Sequence, residues 1–183
     1  MATLRITAGE LGGRRIESPK AGTATRPTTE RVREAAFSIL GELSGARVLD
    51  LFCGTGALGI EAISRGAAEA TLVDTETALA RRNIEALGLG ERARVVRADA
   101  VSFLGRTPEG SFDLVLCDPP YGLADRISSE LGPLVGRALA PGGRLMIESS
   151  PRNPIELGTG LEPVRERTYG RTLVRVLRKR GEA

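Results

Sequence analysis

One stretch constrains this chain more than any other: Val48-Leu49-Asp50-Leu51-Phe52-Cys53-Gly54-Thr55-Gly56-Ala57-Leu58-Gly59. The apolar run from Val48 to Phe52 has the length and composition of a buried strand. It ends in a glycine-rich turn, and apolar residues then recur at Leu58, Ile60, Ala62 and Ile63, as on a helix. Strand, glycine loop and helix in this order bring backbone N–H groups and a helix N-terminus up to a ligand. By letter, Gly54 to Gly59 also satisfies the dinucleotide-binding pattern, which is weakly specific alone. The remaining sequence must say which ligand the loop holds.

Before this stretch, Leu4 to Ala8 alternates apolar and polar residues, Gly9 to Gly13 forms a turn, and Arg14 to Glu17 is a second extended piece. A β-hairpin with Arg14 and Arg15 facing outward is expected. A linker rich in Pro, Gly and Thr follows, from Pro19 to Pro27. Thr28 or Thr29 caps a predicted helix with Val32, Ala35, Ala36, Ile39 and Leu40 on one face. After the glycine loop, predicted strands at 70–73, 93–97, 112–117 and 144–148 alternate with helical patterns, Pro141-Gly142-Gly143 stopping the last helix. Two extended pieces, 163–168 and 172–177, close the chain as an antiparallel hairpin. The alternation predicts βαβ units and a parallel sheet covered on both faces. Residues 1–25 read as a hairpin extension with its linker, and 26–183 as the α/β domain.

The chain has 183 residues, 41% of them hydrophobic, enough for one packed domain. No apolar run approaches the roughly 20 residues of a membrane span, and the N-terminus lacks the apolar block of a signal peptide. A cytoplasmic protein, monomeric and away from membranes, is expected. With no histidine and 2 cysteines, a Ser/His/Asp triad, a Cys/His dyad and a Cys/His zinc site are all excluded. No metal is expected, and Cys53 and Cys117 read as small buried side chains at strand ends. Charge is segregated: residues 1–40 carry net +3, residues 161–183 net +4, and the middle net −4. Basic ends on an acidic core suit a polyanion partner, or are simply solvated surface.

Ligands of open α/β sheets bind beyond the carboxyl ends of the strands. Those ends carry Asp50, just before the glycine loop, and Asp74, Asp99 and Asp118 after the next strands. A negative edge tolerates a pyrophosphate poorly. It suits S-adenosylmethionine, which has a ribose, an ammonium and a sulfonium but no phosphate. Asp50 faces the methionyl end in this reading, Asp74 the ribose hydroxyls, and Asp99 with the Ala100 N–H the adenine edge. Gly54, Thr55 and Gly56 form the loop itself, the glycines giving clearance, while Gly59 allows close packing of helix on strand. S-adenosylhomocysteine is the expected product.

Asp118-Pro119-Pro120-Tyr121 is the Asp/Asn-Pro-Pro-aromatic motif of amino-group methyltransferases. An exocyclic amine on a base is a poor nucleophile, because its lone pair is delocalised into the ring. The Asp118 carboxylate and the Pro119 carbonyl can both accept its N–H groups and localise that pair. Two prolines fix the backbone, so the carbonyl is preorganised. Tyr121 offers a face on which the base stacks. Ring-carbon methylation of cytosine, which needs an exposed nucleophilic Cys, does not fit a Cys117 buried on its strand.

Together these residues resemble the RsmD-type bacterial methyltransferases. The resemblance rests on Arg26-Pro27-Thr28-Thr29-Glu30-Arg31-Val32-Arg33-Glu34, Val48 through Ala67, Asp118 to Tyr121, and Tyr169-Gly170. It implies a Rossmann-like class I methyltransferase fold, with a seven-stranded, mostly parallel sheet, helices on both faces, an antiparallel C-terminal hairpin and an N-terminal β-hairpin. It implies methyl transfer from S-adenosylmethionine to the exocyclic N2 of a guanine in 16S ribosomal RNA, as naked RNA or within the small subunit. Contacts from the hairpin and the Arg26 segment are implied too, with Arg14, Arg15, Arg26 and Arg31 as candidate RNA-binding residues. The chain departs from the family in carrying Ser38 for Asn, Cys53 for Ala and Asp74 for Glu. The last keeps a ribose acceptor on a shorter arm. Two other readings are a DNA adenine-N6 methyltransferase, for which no target-recognition domain is evident, and a catalytically idle nucleic-acid-binding module.

Overall fold

The glycine loop leaves the sheet where the strand order changes direction. The computed structural model describes residues 2–19, 29–120, 124–157 and 160–181, with 124–129 described by their backbone alone. The seven-stranded sheet has the order β5-β4-β3-β6-β7-β9-β8. Its members are β3 (Arg47–Leu51), β4 (Glu69–Asp74), β5 (Ala93–Arg97), β6 (Phe112–Cys117), β7 (Leu139–Ser149), β8 (Leu161–Tyr169) and β9 (Thr172–Lys179). β3 to β7 are mutually parallel, and β9 runs antiparallel between β7 and β8. From the central β3 the chain builds outward through β4 and β5, then crosses back to β6 on the other side. That reversal is the position at which open α/β sheets form their binding crevice.

Alternation along the strands divides the core into two layers. Val48, Leu114, Leu116 and Met146 pack on one face, against α1 (Glu30–Leu40), α2 (Ala57–Ser64) and α3 (Ala78–Leu87). Leu49, Leu51, Val115, Cys117, Leu145 and Ile147 pack on the other, against α4 (Ala100–Arg106) and α5 (Ala124–Ala138). Asp50 shares the first face with Val48. The N-terminal hairpin, β1 (Ala2–Arg5) with β2 (Arg15–Ser18), forms its own two-stranded sheet. Its Ile6 and Ile16 join the first layer. Among the described residues, no helix is long and apolar enough to cross a membrane.

The architecture expected from the sequence is present, with two shifts. The N-terminal strands lie further out than the alternation at Leu4–Ala8 suggested. Ile6 already belongs to the connection, where its N–H donates to the Arg14 carbonyl at 2.9 Å. The last parallel strand starts at Leu139, not at Arg144, because Pro141-Gly142-Gly143 lies inside the strand as an irregularity. Leu139 pairs with Phe112 and Arg144 with Leu114. Gly142 has φ 74°, and a Cβ on Gly143 would stand 2.8 Å from the Ala140 carbonyl oxygen. Proline and glycine fit a sheet where the ladder is interrupted. The linker at 20–28 lies outside the described residues.

Candidate active site

The turn after β3 is left-handed at three positions. Phe52 has φ 61°, Gly54 52° and Gly56 81°. A bulky side chain at positive φ costs on the order of 1–3 kcal/mol and persists only where its surroundings impose it. Nothing lies within 4 Å of a Cβ built on Gly54, so that glycine borders open space at the strand end. Gly56 differs from expectation: its Cβ would stand 2.8 Å from Leu72 Cδ2, so its missing side chain serves packing on β4 as well as the turn. Gly59 packs likewise, with a Cβ 3.1 Å from Leu72 Cγ and 3.2 Å from Asp50 Oδ2. The Thr55 hydroxyl accepts the Ala57 N–H at 3.3 Å, and Gly56 caps α2.

The four carboxylates take different places. Asp50 is fully buried beneath the loop, and its Oδ2 accepts the Gly59 N–H at 2.9 Å. Its Oδ1 is buried with no hydrogen-bond partner among the described residues. Burial pushes this carboxyl up to about 8, the Gly59 N–H opposing, and the negative charges of Asp118 and Asp74 adding to the rise. Asp74, at the end of β4, accepts the Gly54 N–H at 2.9 Å through Oδ2 and the Glu76 N–H at 3.0 Å through Oδ1. It therefore holds the glycine loop to the neighbouring strand. Asp99 is exposed and caps α4, accepting the Ser102 N–H at 3.1 Å, and Ala100 opens that helix. Among the described residues no group of these side chains could hold a metal ion.

The β3–β6 register pairs Leu51 with Cys117, so the chain leaves β3 at Phe52 and β6 at Asp118 side by side. Strand spacing sets the two exits about 4.8 Å apart. Asp118 is half-buried, Pro119 buried and Pro120 exposed. Tyr121 lies outside the described residues. Cys53 and Cys117 are free and buried, and burial raises both thiols far above the ordinary range. Neither is a nucleophile at neutral pH.

Arg14 and Arg15 are exposed on the hairpin, Arg15 two residues before Glu17. Beside them in the hairpin turn, Gly9 packs so closely on the last residue of α2 that a Cβ would fall 1.7 Å from the Ser64 carbonyl oxygen. The glycine loop is at the other end of α2, about 12 Å away at 1.5 Å per residue. Arg31 is exposed in the first turn of α1, and Arg26 lies outside the described residues.

Three features escape the hydrophobic pattern. Arg33, a charged residue of α1, is 1% exposed, and its Nε donates to Glu61 Oε2 at 3.3 Å. Glu61, also fully buried, accepts the Thr7 hydroxyl at 2.5 Å, the Thr7 and Ala8 N–H groups, and Arg65 Nε at 2.8 Å. Arg65 stacks 5.1 Å from the Phe37 ring centre. Burial pushes the Glu61 carboxyl up, but these donors outweigh it and hold the group below the usual glutamate range. Asn83 of α3, 1% exposed, accepts the Glu17 N–H at 2.8 Å and donates to the Glu17 carbonyl at 3.0 Å. The same amide donates to the Thr55 carbonyl at 2.9 Å, joining the hairpin to the glycine loop. Capping patterns leave Asn a polar surface residue; only the docked hairpin makes it a bridge.

A crevice where the strand order reverses, a strained glycine loop and an Asp-Pro-Pro exit on the adjacent strand belong to a methyltransferase fold. Residues 4–178 match the family described as Conserved hypothetical protein 95. A Bacillus subtilis protein provisionally named rRNA methyltransferase YlbH is 35% identical over 97% of this chain and 100% of its own. The Escherichia coli ribosomal RNA small subunit methyltransferase D is 42% identical over 64% of this chain and 60% of its own length. A solved structure titled as a methyltransferase, yhhF of Escherichia coli, superposes with TM-score 0.83 and 32% identity, covering 99% of this chain and 100% of that one. The chain belongs to the RsmD-type methyltransferase family.

Proposed function

We propose that this protein transfers a methyl group from S-adenosylmethionine to the exocyclic N2 of a guanine in small-subunit ribosomal RNA. The observation that carries the reading is the register of β3 on β6, which sets the Asp118-Pro119 exit beside the glycine loop. The names of the relatives favour ribosomal RNA as the substrate. Bound cofactor would supply a methyl group already activated by its positive sulfur, so no covalent nucleophile is required. The fit of the chain to that cofactor rests on Asp50 Oδ1, a buried acceptor with no partner among the described residues, which suits a cationic methionyl end. Open space at Gly54 leaves room beside it. Asp74 and Asp99 stand at the next two strand ends, and in this reading they take the ribose and the adenine.

On the acceptor side, Asp118 and the Pro119 carbonyl take the two N–H groups of the guanine amine and concentrate its lone pair toward the methyl donor. Preorganised acceptors of this kind contribute without reorganising during the reaction. By its chemistry Tyr121 stacks the base. The proton lost from nitrogen after transfer goes to Asp118 or to water.

Incubation with labelled S-adenosylmethionine and, separately, unmodified small subunits, naked 16S RNA and unmethylated DNA tests the reading. Label is expected in RNA or subunits, recovered as N2-methylguanosine after digestion. Label in DNA alone overturns it, and label nowhere favours an idle binding module. Asp118→Ala should lower turnover by a factor on the order of 10²–10³ and leave cofactor affinity nearly intact; near-normal turnover would remove Asp118 from its role.

A further inference from the structure

The same edge of the sheet carries a feature that the methyl-transfer residues do not use. Ser150, Pro151 and Arg152, just beyond β7, form one wall of a groove; Gly170 and Arg171 of the β8–β9 turn form the other. The groove has a volume of about 440 Å³. Its walls are held in place. Ser150 bridges to Asn153, and the Ser150 hydroxyl accepts the Arg152 N–H at 3.2 Å. The turn is closed by the Tyr169–Thr172 pair, with Gly170 at φ 60°.

Arg152 and Arg171 are exposed, and neither guanidinium has a carboxylate partner among the described residues. Elsewhere on this hairpin Arg175 pairs with Glu156 at 3.1 Å and Arg178 with Glu162 at 2.6 Å. The groove also lies close to the acceptor motif. Cys117 pairs with Ile147, which sets Asp118 level with Glu148, two residues before Ser150. Ser149 pairs with Leu173, which brings the β8–β9 turn to the same edge. At about 4.8 Å per strand, the turn stands two strands, or about 10 Å, from the Asp118 exit.

We propose that this groove binds backbone phosphates of the nucleotides flanking the target base, through Arg152 and Arg171. The proposal rests on the RNA methyltransferase reading and adds a site to it. A guanidinium fork matches a phosphate in two parallel hydrogen bonds. Presenting one base to Asp118 and Pro119 requires it to be out of its stack, and the backbone beside it must then be held. Phosphate contacts do this without reading sequence.

The full-length double variant Arg152→Ala/Arg171→Ala tests the site against Arg178→Ala/Arg180→Ala. The control removes the same charge at the opposite end of β9, where both arginines pair with Glu162. All four side chains are surface groups, and a thermal melt checks that each variant folds. With small-subunit RNA, the groove variant should lower the slope of log affinity against log salt by about 1.4, two phosphates at about 0.7 each for a single strand. KM for RNA should rise about tenfold, with kcat and S-adenosylhomocysteine affinity unchanged. An unchanged slope and KM in an active groove variant overturns the proposal, as does an equal loss in the control pair, which would mean only a diffuse positive field. If the wild-type protein methylates neither RNA nor subunits, the RNA reading itself fails, a result distinct from the other two.

Discussion

Asp50 is the residue whose chemistry its surroundings change most. In an unfolded chain an aspartate ionises near about 3.9; in the fold it keeps its proton until about 8, because it is buried, with Asp118 and Asp74 nearby. Folding therefore takes up a proton between these values, so this group's contribution to stability falls as pH rises from about 4 to about 8. A cation docking at Oδ1 requires that proton to leave. Affinity for S-adenosylmethionine should accordingly rise as pH is raised from about 6 to about 8, by at most about tenfold per unit. Calorimetry in buffers of different ionisation enthalpy should record proton release. Asp50→Asn, which can still accept the Gly59 N–H, should bind more weakly and lose that release. Proton release that survives in the variant would assign it to another group.

At the scale of elements, α2 is held from both ends. Its N-terminus opens from the glycine loop, and its outer side carries the hairpin through Glu61 and Ser64. The Ser64 hydroxyl accepts the Leu11 N–H at 2.9 Å and donates to the Ala8 carbonyl at 2.5 Å. Glu61 is the centre of this joint, fully buried between Arg33, Arg65 and the Thr7–Ala8 backbone. Its folded value lies below its ordinary one, so its stabilising share is present at neutral pH and is lost as acid protonates it. Removing one charge from a buried pair leaves the other uncompensated, at a cost of about 3–5 kcal/mol. Glu61→Gln should lower unfolding free energy by that order in a urea titration. It should also speed amide exchange in β1 and β2 before the rest of the domain. Exchange that stays uniform would mean that the hairpin does not depend on this joint.

Across the whole molecule, Asn83 makes the hairpin and the glycine loop parts of one assembly. Three hydrogen bonds from one buried amide reach Glu17 twice and Thr55 once. Asn83→Ala leaves those backbone groups unpaired, at about 1–3 kcal/mol for a buried group. S-adenosylhomocysteine affinity should fall several-fold, with faster amide exchange both in β2 and at 53–57. Loosening of the hairpin alone, at unchanged affinity, would break the proposed link. The charge segregation belongs to this scale as well: Arg14 and Arg15 are exposed on the hairpin, Arg31 in the first turn of α1, and Arg152 and Arg171 beside the groove at the strand-exit edge.

What the sequence determined by itself is what local pattern can encode. Alternating strands and helices, glycines at a strand exit, Asp residues at strand ends and Asp118-Pro119-Pro120 all act within a few residues of their own backbone. The class of fold was therefore legible along the chain, and so was which residues stand at its edge. Tertiary structure alone decided what depends on distant partners. Arg33 and Glu61 look like helix-surface charges until the hairpin covers them, and Asn83 becomes a bridge only once β2 and the glycine loop meet at it. Gly56 looked like ligand clearance, but Leu72, from the next strand, fills the space beside it. A residue's spacing in sequence fixes which way it faces on its own element. What it faces is set by elements tens of residues away, and so are its burial, its charge state and its role.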